Sequence, residues 1–406
     1  MSTSRALAWT VWVTASLFYA YQYILRVMPN VMLSDIMYQF NIDAALFGQF
    51  SGVYYIGYSL MHLPIGIMLD RFGPRRVLPV CILLTVVGLL PMLYSSAWIY
   101  PVLGRVMIGI GSSAAILGTF KIIRMTFDES RFTRLLSFSV TIGLLGAIYG
   151  GGPVTYLYNA LGYHAVIKIF AITGCVLAIV TWILVPNMRA VPQSSIRADL
   201  WEVLTNRRIV WSCILAGMMV GPLEGFADVW AAAFLKQNYG FDQIMATSLP
   251  SVIFVGMCFG APLLSLVAEK TGNYLATIAG SGLVMAGAFF SLMISSPSQF
   301  MVAMVFGIIG VCCAYQILAI YKASTWASER VAGLTTAIAN MIIMSFGYAF
   351  HTIIGLVVKS QGGPQVPGAV NLGVAIIPVG LAIGALGFYM LLFRERREED
   401  VEALAA

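Results

Sequence analysis

Apolar residues in this chain neither alternate nor recur every three to four positions; they come in unbroken runs separated by short polar turns. A helix rises 1.5 Å per residue, so a run of about 20 apolar residues crosses the hydrocarbon of a bilayer. Twelve such runs fall near residues 7–28, 46–69, 77–97, 101–125, 135–157, 164–186, 209–235, 245–268, 274–295, 299–323, 332–357 and 369–393. Barrel strands would alternate over about ten residues, whereas VLPVCILLTVVGLLPML is apolar on every face of a helix. The pattern therefore predicts an all-α integral membrane protein with twelve transmembrane helices. Its longest polar stretch, PNMRAVPQSSIRADLWEVLTNRR, parts six runs from six. That organisation is an N-terminal half over 1–186, a cytoplasmic linker over 187–208 and a C-terminal half over 209–406 with a short tail.

Composition agrees with the pattern. Hydrophobic residues make up 60% of the chain and charged residues 10%, against about a quarter charged in soluble domains. The net charge of +6 raises the question of a nucleic-acid partner, but its distribution has a simpler cause. Arg5, Arg71, Arg75, Arg76, Arg124, Arg131, Arg134, Arg189, Arg197, Arg207, Arg208, Lys270, Lys322, Arg330, Arg394, Arg396 and Arg397 fall on one side of the predicted helices, and Lys236 and Lys359 on the other. This is the positive-inside pattern of an inner-membrane protein with both termini cytoplasmic, the bilayer as its partner and no nucleic acid. The first run lacks a small-residue cleavage site and reads as a retained span. The six cysteines all lie in predicted spans, without metal-ligand or disulfide spacing. Neither a metal nor a cofactor is expected.

The halves repeat. GIMLDRFGPRR at 66–76 matches SLVAEKTGNYL at 265–275, setting Asp70 against Glu269, Arg71 against Lys270 and Gly73 against Gly272 at an offset of 199. GTFKIIR against AIYKAST sets Lys121 against Lys322. Internal repeats of this length in a helical membrane protein point to a transporter with its site near the midplane, between the repeats.

The G-x-x-x-D-R-x-G-x-R-R run through Asp70, Arg71, Gly73, Arg75 and Arg76, its weaker copy at Glu269 and Lys270, and R-x-x-x-G-x-G at Arg105, Gly109 and Gly111 resemble the major facilitator superfamily along the whole chain. The resemblance implies two pseudo-symmetric six-helix halves, alternating access, and a latch in which Asp70 meets a helix N-terminus and Arg71, Arg75 or Arg76 to close the cytoplasmic side. Lys121 and Lys322 join this gating set or serve as interfacial cations, and Arg105 belongs with its structural motif. GLLGAIYGGGPV only loosely resembles the glycine-proline motif of drug antiporters, which speaks against drug efflux.

In that superfamily spans 1, 4, 7 and 10 line the cavity, which directs attention to Arg26, Glu224 and Asp228. Ionisable residues inside a membrane are costly and mark functional sites. The repeat offset carries Arg26 to position 225, next to Glu224. Glu224 and Asp228, four apart, share a helix face, and GPLEGFAD reads as an interrupted helix lining a cavity. A cation and carboxylates are thus expected to face each other near the midplane. Arg26, with Tyr19, Gln22 and Tyr23 beside it, reads as an anion ligand, since its planar fork holds a carboxylate by two bonds. The competing readings are an ion pair between the halves and an arginine snorkelling outward.

YAYQYILR also resembles the first span of organophosphate and organic-anion carriers, where a comparable arginine holds the anion. Those carriers have a second arginine in span 7, where this chain has Glu224, Gly225 and Asp228. The difference favours a zwitterionic substrate, and a further resemblance, to nutrient and amino-acid carriers of intracellular bacteria, implies the same class. Glu224 and Asp228 are the expected proton carriers; His62 and His351 lie on spans expected not to line the cavity. The expectation is a monomeric, proton-coupled secondary transporter, not an enzyme, for an amino acid or small peptide. The alternatives are an organic-anion or phosphorylated-metabolite exchanger and a non-transporting membrane sensor.

Overall fold

The computed structural model describes residues 5–128, 131–186, 196–295, 297–328 and 331–405; residues 187–195 of the predicted linker, with Arg189, and also Arg330 lie outside them. Among the described residues there is no strand, and twelve long helices form the bundle. They are α1 Arg5–Val27, α2 Ala44–Phe72, α3 Pro74–Tyr94, α4 Ile99–Thr126, α5 Arg134–Leu161, α6 Tyr163–Leu184, α7 Arg207–Tyr239, α8 Gln243–Thr271, α9 Tyr274–Ile294, α10 Gln299–Thr325, α11 Ala332–Ser360 and α12 Ala369–Arg397. Eleven of these are long and apolar enough to cross a membrane on composition alone. The other, α1, is diluted by Trp9, Trp12, Tyr19, Tyr21, Gln22 and Tyr23, yet it packs against α5, α4 and α6 as a full member of the bundle.

The predicted runs end where charge begins, and most helices continue beyond them because a backbone helix outlasts the hydrocarbon. The linker is partly helical: Ile196–Thr205 leads to Asn206, whose side-chain oxygen accepts from the N–H groups of Arg208 and Ile209 and so starts α7 at Arg207. Gly73, at φ 78°, makes the turn from α2 to α3 in the left-handed region that glycine tolerates.

Where the halves meet decides what the fold can do. At the end away from the basic loops, α2 lies directly on α11. A Cβ on Gly48 would stand 2.3 Å from the carbonyl oxygen of His351, so only glycine permits this approach. In the same layer Thr155 of α5 bonds Thr247 of α8 at 2.8 Å, Phe47 meets Trp230 edge-on at 6.0 Å, and Asp43 pairs with Lys359 at 2.9 Å. At the basic end the halves diverge around a cavity of about 820 Å³ that reaches from Tyr19 to Asp70, Lys121 and Arg124.

Candidate functional site

Arg26 sits in the last turn of α1. Pro29, in the short helix Met28–Asn30 that follows, has no N–H with which to continue the ladder. The carbonyls left over at this helix end are taken by Arg105 of α4, whose Nη1 donates to the Leu25 oxygen at 2.6 Å and Nη2 to the Arg26 oxygen at 2.8 Å. A buried cation at a helix C-terminus also complements the dipole there. Arg105 packs against the Tyr54 ring at 5.0 Å, so its role is to hold the backbone that carries Arg26. Gly109 and Gly111 in the same motif let α4 touch α2 and α3: a Cβ would stand 2.0 Å from the Tyr54 oxygen and 2.3 Å from that of Cys81.

The facing charges come from α7, which is interrupted at the glycine-proline cluster. A regular turn ends at Gly217, and Gly221–Trp230 continues as a π-helix with wider i→i+5 turns, a geometry that recurs at functional sites. In it Glu224 and Asp228 both face Arg26. Arg26 Nη2 lies 2.5 Å from Glu224 Oε2 and Nε lies 2.7 Å from Asp228 Oδ2, with Nη2 also donating to Asp228 Oδ1 at 3.3 Å. All three side chains are buried. The guanidinium rests on the Tyr23 ring at 4.7 Å.

Tyr55 of α2 completes the cluster. Its hydroxyl donates to Glu224 Oε2 at 2.7 Å and also contacts Asp228 Oδ2. A phenol oxygen both donates and accepts, so Tyr55 bridges the two carboxylates. Below it His351 stacks on the Tyr55 ring at 5.7 Å with neither ring nitrogen bonded, and Gln316 of α10 is buried with its amide nitrogen unbonded. Gln22 accepts from Tyr54 at 2.7 Å.

The structure thus brings Arg26, Glu224 and Asp228 together, with Tyr23 against them and Gln22 one bond away on Tyr54. It also corrects two expectations. First, this cluster does not line the cavity. Of the candidate binding residues only Tyr19 does; Tyr19 packs on Tyr23 at 5.3 Å, and that pair stands between cavity and guanidinium. Second, the cavity wall comes from α1, α2, α4, α10 and α11 rather than from spans 1, 4, 7 and 10. The reason is that α2 and α11 touch at one end and splay at the other. His62 therefore faces the cavity rather than the lipid, with Nδ1 unbonded, while His351 lies under the charge cluster. Asp70 pairs with Lys121 of its own half at 2.6 Å, a residue the sequence reading placed in the gate but not opposite Asp70.

Among the other gating candidates, Arg71 and Arg76 are exposed and Arg75 packs over Trp182 at 5.8 Å. Lys322 pairs with Glu395 of α12 at 2.7 Å; Glu269 and Lys270 are exposed at the end of α8. Sequence reasoning missed Tyr54, Tyr55 and Gln316. The Tyr54, Tyr55 and Tyr58 spacing within one span was the available signal, but tyrosine is common enough in membrane helices that the spacing alone does not select them.

The profile of the Major Facilitator Superfamily matches residues 15–352. The chain is 24% identical over 278 residues to the uncharacterized transporter YybO of Bacillus subtilis, covering 60% of this chain and 62% of that one. To the probable sulfoacetate transporter SauU of Cupriavidus necator it is 22% identical over 384 residues, covering 86% and 87%. Among solved structures, a bacterial homolog of the human lysosomal transporter Spinster, in an inward-facing and occupied conformation, superposes with a TM-score of 0.76 at 16% identity over 96% of this chain and 97% of that one. At that identity the likeness concerns the fold.

Proposed function

The chain belongs to the major facilitator superfamily, and on that premise we propose that it is a secondary transporter of a small carboxylate-bearing metabolite, an amino acid or short peptide, coupled to protons. It works as a monomer in the inner membrane, with the basic end cytoplasmic. The observation that carries the reading is the buried cluster itself: one guanidinium from one half held by two carboxylates from the other, beneath a cavity open at the basic end.

A substrate carboxylate entering past Tyr19 and Tyr23 competes for the Arg26 fork, which suits a planar anion. Displaced from Arg26, Glu224 and Asp228 would be buried charges without a cation, and that is strongly unfavourable. A substrate ammonium or a proton must therefore arrive with the carboxylate. Since the cluster joins the halves, binding there loosens the contact between them and biases alternating access. The Tyr55 hydroxyl bridging the two carboxylates, able to accept as well as donate, supports proton loading there.

Counterflow of labelled amino acids in proteoliposomes tests this. Uptake should be competed by the parent amino acid or dipeptide and poorly by its des-amino and amidated analogues. Equal competition by a plain monocarboxylate or a sugar phosphate would reject the zwitterion. A second reading, an organic-anion exchanger, is favoured by the similarity to the probable sulfoacetate transporter over 86% of the chain, and that same competition result would select it.

A further inference from the structure

Tyr19 and Tyr23 stand between the cavity and the guanidinium, and one face of α2 runs past them with different chemistry. Tyr55, Ser59 and His62 follow one another at spacings of four and three, so they share a single face of that helix. All three are buried. Tyr55 touches both carboxylates. His62 lies about 10 Å farther along the helix axis, at 1.5 Å per residue, and lines the cavity.

The groups on this face are available. Hydroxyls on the helices of this chain commonly donate to the carbonyl four residues back, as Ser139 does to Leu135 at 2.9 Å and Thr119 to Ala115 at 2.8 Å. The Ser59 oxygen makes no such bond and has no other partner, and His62 Nδ1 has none either. A buried polar group left unbonded costs about 1–3 kcal/mol, so water bridging the two is strongly favoured. The Tyr58 ring packs on the imidazole at 5.3 Å. The charged groups that share the cavity are Asp70, held by Lys121, and Arg124; Tyr19 and Tyr58 are titratable, and α11 contributes Thr336 and Asn340, which do not ionise. An imidazole suits this wall because it accepts at one nitrogen while giving up the proton on the other, and so need not hold a net charge among apolar side chains.

We propose that His62 is the port through which protons pass between the cytoplasmic cavity and the buried carboxylates, by way of Ser59 and Tyr55. This rests on the proton coupling proposed above and adds its route. In the loading direction a hydronium in the cavity gives its proton to one ring nitrogen of His62. The proton on the other nitrogen leaves for the Ser59 hydroxyl, directly or through water. That hydroxyl passes its own proton on to the Tyr55 oxygen, and the Tyr55 proton goes to Glu224 or Asp228. The net change is one neutralised carboxyl and an imidazole in its other tautomer, which exchange with cavity water resets.

Proteoliposomes holding the full chain and a mixture of labelled amino acids test the port. The parent should accumulate label when a pH gradient is imposed. His62→Gln should slow that accumulation about a hundredfold, the scale of a positioned proton-transfer group, and slow counterflow far less; Ser59→Ala should act in the same direction. If the parent accumulates label and His62→Gln lowers accumulation no more than counterflow, the port is overturned while proton coupling stands. If the parent exchanges label without responding to the gradient, proton coupling itself fails and the port with it. Should His62→Gln not fold, or no amino acid be carried, deuterium exchange at the ring C2 positions of the parent decides. Among His62, His164 and His351, His62 must exchange faster than His351, which is fully buried, and equal rates overturn the proposal.

Discussion

Arg26 binds both carboxylates and both carboxylates bind Arg26, so no single replacement reports on only one of them. Arg26→Gln leaves Glu224 and Asp228 buried without a cation, a change of the kind that costs about 3–5 kcal/mol, and should lower the unfolding temperature sharply as well as abolish transport. Adding Glu224→Gln and Asp228→Asn removes the stranded charges. The triple variant should regain most of the lost stability, measured by scanning fluorimetry, and still show no counterflow. If it transports like the parent, Arg26 serves only as a brace between the halves. Of this cluster, Arg26, Glu224 and Asp228 were legible in the sequence because charge in a membrane span is conspicuous and the repeat offset brings them to one depth. Tyr55 was not, since nothing about a tyrosine at that position says which helix face meets another half.

At the scale of elements, glycines that look alike in sequence do different work. Gly48 lies where α2 meets α11, between halves, with the obstructing atom a backbone oxygen at 2.3 Å; Gly109 lies where α4 meets α2, inside one half, with a backbone oxygen at 2.0 Å. Alanine at either site forces the helices apart, and such overpacking costs about 1–3 kcal/mol. Gly109→Ala should therefore lower stability without changing which end is open. Gly48→Ala should instead wedge the closed end. A cysteine placed at Thr155, buried in that layer, should react faster with a membrane-impermeant maleimide in the Gly48→Ala background and at the parent rate in the Gly109→Ala background. Equal rates in all three would show that the α2–α11 contact does not set access.

For the whole molecule, the proposed equilibrium between closed and open at that end also involves the Asp43–Lys359 pair, which spans the halves. Burial lifts the Asp43 carboxyl, but the Leu46 N–H and the Lys359 ammonium outweigh that and hold it below its ordinary 3.8. A carboxylate with a depressed value contributes fully above its ordinary titration range and loses the contribution only as pH falls through that range. Both partners are partly exposed, so the pair is worth about 0.2–1 kcal/mol. Asp43→Asn should accordingly raise maleimide labelling at Thr155→Cys up to about fivefold, by the same factor at every pH from about 5 to 8. A factor that changes across that window would mean that Asp43 titrates within it.

The sequence by itself determined the all-helical membrane class, the two repeated halves, the side on which positive charge gathers, and the three residues that form the buried cluster. Each of these depends on local apolarity or on spacing along the chain, and neither needs the third dimension. Only the tertiary structure decided that Arg105 holds the end of α1, that Asp70 pairs with Lys121 fifty-one residues away, and that His62 faces the cavity while Arg26 lies beneath it. These outcomes turn on which helix faces are brought together and on which end of the bundle is closed. Hydropathy does not specify the end at which the halves pack; contacts such as Gly48 on His351, Thr155 on Thr247 and Asp43 on Lys359 do, between residues far apart in sequence.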